Sequence, residues 1–208
     1  CIFFEDKKLD ALLIACNTTN ACALDILENN LKIPCFDLIN SVSEIVNKKN
    51  IGILATQTTV SSSYYKKVIN LKNKKLKIFQ QACPEFVPEI EKEKLNFKRL
   101  DYLSDLYIKP LIDKNIQELI LGCSHYPLIY DFLRNKIDIN IKITDPSLAL
   151  IKKFNEYFGI SKINRYESIS LENVKFFVTA KKEEFAKKVK FWLEIDKEIK
   201  LVNLRSNV

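Results

Sequence analysis

The sequence contains no methionine, not even at position 1, and a single histidine, His125. Cys1 runs directly into Ile2-Phe3-Phe4, an apolar and strand-like start, so a longer N-terminal portion is expected. None of the six cysteines, at positions 1, 16, 22, 35, 83 and 123, belongs to a Cys-x-x-Cys pair. With one imidazole available, that spacing argues against structural zinc. No secretory leader opens the sequence. The cysteines sit mostly among apolar residues, which favours reduced thiols and a cytoplasmic location over a disulfide framework. Also missing is an apolar run of about eighteen residues, the length a membrane helix needs.

The 208 residues are enough for one large domain or two small ones, and the 47% hydrophobic content is ordinary for a globular chain. The net charge of +7 is dispersed, with lysine interleaved with glutamate as in the stretch from Lys181 to Lys190. This pattern reads as solvated helix faces. Nothing resembles the alternating aromatic and basic residues of a nucleic-acid platform. A basic balance weakly favours an anionic small substrate.

One stretch occurs twice. Residues 11–25 read ALLIACNTTNACALD and residues 118–132 read ELILGCSHYPLIYDF. Aligning Cys16 with Cys123 also aligns Leu12 with Leu119, Leu13 with Ile120 and Ala15 with Gly122. Downstream, Ile33-Pro34-Cys35-Phe36-Asp37 answers Ile141-Lys142-Ile143-Thr144-Asp145, one residue out of phase. An offset of 107 residues is too long for a solenoid. It predicts two similar α/β units facing each other, each contributing a cysteine. The segment 51–65 has no counterpart in the first unit unless about 55 residues precede Cys1.

Apolar runs at 11–15, 33–36, 51–55, 77–80, 118–122, 140–144, 174–178 and 199–202 read as strands. Helices are expected between them. Asn17, Thr18 and Thr19 precede one at 21–27 as caps, and Thr56 to Thr59 precede one running through Tyr65 and Val68. A third, with Leu100, Leu103, Leu106, Tyr107 and Leu111 on one face, should kink at Pro110. A fourth spans 127–135, and Pro146 suits the first turn of a fifth. Phe185, Val189, Trp192 and Leu193 form the buried stripe of a sixth. The two prolines of 83–88 argue for an irregular loop. Strands alternating with helices predict parallel sheets covered on both faces, with ligands at the carboxyl ends of the strands. Both repeated cysteines lie there.

A thiol between a strand end and a helix start meets unpaired N–H groups and the positive end of a helix dipole. Both lower its pKa from about 8.5. Two such thiols on either side of a ligand form a symmetric acid–base pair. One takes a proton from carbon while the other returns one to the opposite face, which inverts a stereocentre. For Cys1, Cys22, Cys35 and Cys83 a packing role suffices.

Ala-Cys-Asn-Thr at 15–18 and Leu-Gly-Cys-Ser-His-Tyr-Pro-Leu at 121–128 resemble the two signature motifs of glutamate racemases, within the cofactor-independent aspartate/glutamate racemase superfamily. Ala55-Thr56-Gln57-Thr58-Thr59-Val60-Ser61-Ser62 is similar to its Gly-Thr-x-x-Thr-x-x-Ser stretch, and Cys83-Pro84-Glu85-Phe86-Val87-Pro88 with Glu91 to its Cys-Pro-x-Phe-Val-Pro-x-x-Glu segment. The four motifs occur in order across nearly the whole chain.

The resemblance implies two pseudo-symmetric parallel-sheet α/β domains with the active site in the cleft between them. The expected boundaries are 1–39 with 150–208 for the first domain and 40–149 for the second. It implies Cys16 and Cys123 as the two bases, His125 as assistant to Cys123, and Glu91 as the group that polarises the site. Asn17, Thr18 and Ser124 would hold the α-carboxylate, and Thr56 and Thr59 the side-chain carboxylate. Helix capping is the plainer reading of Asn17, Thr18, Thr56, Thr59 and Ser124, a structural histidine that of His125, and an exposed surface position that of Glu91. The implied reaction is interconversion of L- and D-glutamate without pyridoxal phosphate or metal, which supplies D-glutamate to bacterial peptidoglycan. A homodimer is compatible with it, and no nucleic-acid or membrane partner is implied. Ser124 stands where the family usually has threonine, and Ala55 where it has glycine. The family's N-terminal Asp-Ser-Gly and Tyr-Gly motifs have no match in this sequence. Aspartate racemisation, a thiol hydrolase built on Cys123 and His125, and a non-catalytic binding protein are the alternatives.

Overall fold

The computed structural model describes residues 1–160 and 173–204. Of the expected first-domain range 150–208, residues 161–172 and 205–208 therefore lie outside the described residues. The chain divides into two compact units, Cys1–Ser161 and Lys162–Val208. In the first, the order is α1 (Ile2–Glu5), β1 (Leu12–Ile14), α2 (Asn17–Asn30), β2 (Cys35–Asp37), α3 (Leu38–Ser43), β3 (Asn50–Ala55), α4 (Gln57–Ser62), α5 (Tyr64–Lys72) and β4 (Lys77–Ala82). There follow α6 (Phe86–Ile90), α7 (Phe97–Ile112), β5 (Glu118–Gly122), a 3-10 turn (Tyr126–Ile129), α8 (Tyr130–Lys136), β6 (Lys142–Thr144) and α9 (Pro146–Phe158). The second unit contains β7 (Phe176–Val178), α10 (Lys182–Leu193) and β8 (Ile199–Leu201), with β7 and β8 paired in parallel.

Both sheets of the first unit are parallel. β1 pairs with β2, and a four-stranded sheet runs in the order β4-β3-β5-β6. Its central strands β3 and β5 are the most uniformly apolar segments, and they are buried on both faces. Ile39, Val42, Ile51, Ile53, Tyr65, Ile69 and Ile120 form one core, while Phe36, Leu38 and Leu150 form another beneath α9. Local chemistry sets the helix starts. The side chains of Asp37, Thr56, Asn96 and Asp145 accept backbone N–H groups at the beginnings of α3, α4, α7 and α9. Pro146 fills the first position of α9, and Gly159, at φ +63, closes it in the left-handed conformation.

Several local expectations are corrected. Ile2 to Glu5 is helical rather than extended. Asn17, Thr18 and Thr19 lie inside the first turn of α2, and Cys16 itself is the extended residue before it, at φ −121 and ψ 114. Residues 86–90 form a short helix because Pro88 falls in its first turn, where no intrahelical N–H is required. Leu106 is exposed, because the buried stripe of α7 follows Leu100, Leu103, Tyr107 and Leu111. On α10, Val189 is buried but Phe185 and Leu193 are exposed, since a small unit has little apolar surface to cover a helix face.

The strand ends deliver the repeated residues as the alignment requires. Gly122 lies opposite Ala55 at the carboxyl edge of the sheet, and Cys123 follows it. A Cβ on Gly122 would lie 2.7 Å from the Leu54 carbonyl oxygen and 3.0 Å from Ile53 Cγ2. Backbone cannot yield there as a side chain would. Gly122→Ala is expected to cost about 1–3 kcal/mol through overpacking, read as a lowered urea midpoint at unchanged m-value.

Candidate active site

Helix α2 starts just after β1, and α4 just after β3, so the threonines of their first turns converge. Thr18 Oγ1 lies 2.9 Å from Thr56 Oγ1 and 3.2 Å from Thr59 Oγ1, and Thr56 and Thr59 are 3.0 Å apart. Thr18 thus joins the pair assigned by sequence to the other carboxylate. Beside them Asn17 is 2% exposed. Its Oδ1 accepts the Tyr65 hydroxyl at 2.6 Å, while its Nδ2 is buried with no partner. An unpaired buried donor costs about 1–3 kcal/mol, and an anionic oxygen would satisfy it. Three hydroxyls and a spare amide donor therefore make a small polar site suited to a carboxylate.

The second cysteine anchors a separate chain of contacts. Cys123 Sγ is 3.8 Å from His125 Nδ1, and His125 Nε2 is 2.8 Å from Glu91 Oε1. Glu91 caps the carboxyl end of α6, 34 residues before the histidine in sequence. The carboxylate fixes the orientation of the imidazole. Ser124 is exposed on the turn between Cys123 and His125.

Cys123 is nearly buried, whereas Cys16 is exposed. Burial pushes the Cys123 thiol above its ordinary value, opposed by the His125 backbone N–H that points at the sulfur. The charges of Cys16 and Glu91 raise it further. This corrects the expected lowering. A 3-10 turn follows Cys123 instead of a long helix aimed at it, and desolvation outweighs the local N–H group.

Residues outside the motifs hold these parts in place. Asn20 Nδ2 donates to the Ile14 carbonyl at 3.0 Å, and its Oδ1 accepts the Leu38 N–H at 2.8 Å, tying α2 to the ends of β1 and β2. Tyr65, fully buried, reads in sequence as one more core aromatic of α5, and its hold on Asn17 spans 48 positions. The spacing of Asn20, one turn beyond Cys16, was the available signal for its role.

Cys83 follows β4 and is buried. Burial pushes its thiol up to about 12, against about 8.5 in an unfolded chain. Its folded value is raised, so the stability it contributes is complete below about pH 8.5 and is lost as pH climbs through the folded value. In that window the unfolded chain has released the proton and the native state has not, so stability falls by about 1.4 kcal/mol per pH unit. Alkaline denaturation series are expected to show a shallower decline in Cys83→Ala; an identical slope would remove the assignment.

A family model described as Asp/Glu/Hydantoin racemase matches residues 4–154. A glutamate racemase of Prochlorococcus marinus (strain NATL2A) is 40% identical over 203 residues, covering 98% of this chain and 77% of the relative. One from Thermoanaerobacter sp. (strain X514) is 35% identical over 190 residues, covering 89% and 70%. The fold is similar to the crystal structure of glutamate racemase from Francisella tularensis subsp. tularensis SCHU S4 in complex with D-glutamate. That likeness has a TM-score of 0.82 at 29% identity, covering 99% of this chain and 78% of that one.

Proposed function

The chain belongs to the Asp/Glu/Hydantoin racemase family, and from that premise we propose that it interconverts L- and D-glutamate by proton transfer between two thiols, Cys16 and Cys123. One sulfur, ionised, takes the α-proton, so a C–H bond breaks as an S–H bond forms. The other gives up its proton to the opposite face of the carbanion, and the configuration is inverted. The α-proton is very weakly acidic, so the carbanion has to be stabilised where charge gathers, on the carboxylate. Asn17 Nδ2, unpartnered and buried, and the Thr18 hydroxyl are the groups suited to that task. Thr56 and Thr59 complete the polar patch that holds glutamate, and Ser124 joins them from the Cys123 turn.

The observation that carries the reading is the placement of the two thiols. Each follows a parallel strand at its carboxyl end. His125 and Glu91 set the protonation of Cys123. We take residues 1–39 with 150–208 and residues 40–149 as the two domains that present these thiols. The packing of Leu150 and Phe154 of α9 against Phe36 of β2 and Leu38 supports the return of the chain to the first of them. Among the described residues no helix is long and apolar enough to cross a membrane, which fits a cytoplasmic enzyme feeding D-glutamate to peptidoglycan synthesis. A homodimer is compatible with this reading.

The deciding experiment uses protein purified from the complete reading frame. Circular dichroism should decay to zero with L-glutamate and not with L-aspartate, and in heavy water deuterium should enter the α-carbon. Decay with aspartate alone would transfer the activity to aspartate. Acylation by an ester without α-exchange would indicate a thiol hydrolase instead.

A further inference from the structure

We propose that Tyr126 is a positioning residue for the Cys123–His125–Glu91 relay, an assignment that rests on the racemase reading above. The relay joins two segments far apart in sequence, and neither holds itself in place. Glu91 ends α6, a helix of five residues with a proline inside and no side-chain cap at its start. A helix this short has no stability of its own. It is fixed through Phe86, its first residue, which is fully buried. The Phe86 ring meets Tyr107 edge-on at 5.2 Å and Tyr126 edge-on at 5.4 Å.

Tyr126 in turn belongs to the segment that carries the thiol and the imidazole. It is fully buried, and its backbone N–H closes the turn onto the Cys123 carbonyl at 3.1 Å. Its hydroxyl reaches back to the Cys83 carbonyl at 3.5 Å. Cys83 is itself anchored to the sheet, its N–H donating to the Ala55 carbonyl at 2.9 Å. One side chain therefore references both arms to the same fixed point. Its ring presses the arm bearing Glu91, its backbone closes the turn bearing Cys123 and His125, and its hydroxyl registers the whole, through Cys83, against the carboxyl end of β3. The reach of 2.8 Å between Glu91 and the imidazole depends on that registration, since a displacement of about 1 Å is enough to cost a large factor in rate.

Tyr126→Phe removes the hydroxyl and keeps the ring. It is expected to lower kcat about tenfold with KM unchanged and a folded circular-dichroism spectrum. In a Glu91→Gln background the same change should add less than about twofold, because the relay it serves is already broken. Losses that multiply in the double variant, or a kcat equal to that of the parent, would overturn the proposal. Phe86→Leu tests the same clamp from the other arm and should show the same non-additivity with Glu91→Gln. If the parent protein fails to exchange the α-proton of glutamate, the racemase reading fails by itself. The positioning is then still read by the alkylation rate of Cys123 with iodoacetamide, followed by peptide mass. Tyr126→Phe and Glu91→Gln should alter that rate alike, and a change in Glu91→Gln alone would refute the role of Tyr126.

Discussion

Cys16→Ala and Cys123→Ala are each expected to reduce glutamate racemisation by at least about 10³-fold, near the upper range for loss of a positioned acid or base. Inversion needs a proton taken on one face and another delivered on the opposite face, so neither thiol substitutes for the other. The two variants should nevertheless differ from an inert protein. Each retains one sulfur facing one enantiomer, and that sulfur can remove and return a proton on its own side. Deuterium is then expected to enter the α-carbon of a single enantiomer without loss of optical activity, with the opposite enantiomer exchanged by the other variant. Proton NMR of the α-position in heavy water, with each enantiomer supplied separately, measures this. Cys22→Ala, at an exposed cysteine on the outer part of α2, serves as the control and should match the parent. Normal turnover in either Cys16→Ala or Cys123→Ala would end the two-base assignment.

Breaking the relay behind Cys123 is expected to have the second-largest effect. His125→Asn and Glu91→Gln should each lower kcat by about 10²-fold, within the range typical of general acid–base groups. Burial, reinforced by the charges of Cys16 and Glu91, pushes the Cys123 thiol upward, which favours its protonated form. When the reaction runs the other way it must ionise. The imidazole at 3.8 Å, held by Glu91, is the group placed to accept or return that proton. Glu91→Gln keeps the shape and removes the charge, leaving a neutral partner for the histidine. KM should change little in either variant, because neither side chain belongs to the hydroxyl cluster around Thr18. Stability should also change little, since the pair is more than one-third exposed for Glu91 and close to that for His125. A raised KM at preserved kcat would assign both residues to binding instead.

The amino-acid sequence alone determined the alternation of strand and helix, the parallel sheets, and the two strand-end cysteines. These are local properties. Uniform apolar runs such as 51–55 and 118–122 favour burial on both faces of a sheet, and Asp145-Pro146 favours a helix start through its cap and fixed φ. The repeat added one non-local inference, that Cys16 and Cys123 hold equivalent places. Tertiary structure alone decided how the polar groups share their work. It joined Thr18 to Thr56 and Thr59 across about forty positions, gave Asn17 the buried Tyr65 as partner, and set Glu91 against His125. It also reversed the expected direction of the Cys123 shift. The physical reason is one of range. Propensity and capping act over a few residues, whereas desolvation and Coulomb interaction depend on whatever the fold brings within several ångströms, at any separation along the chain.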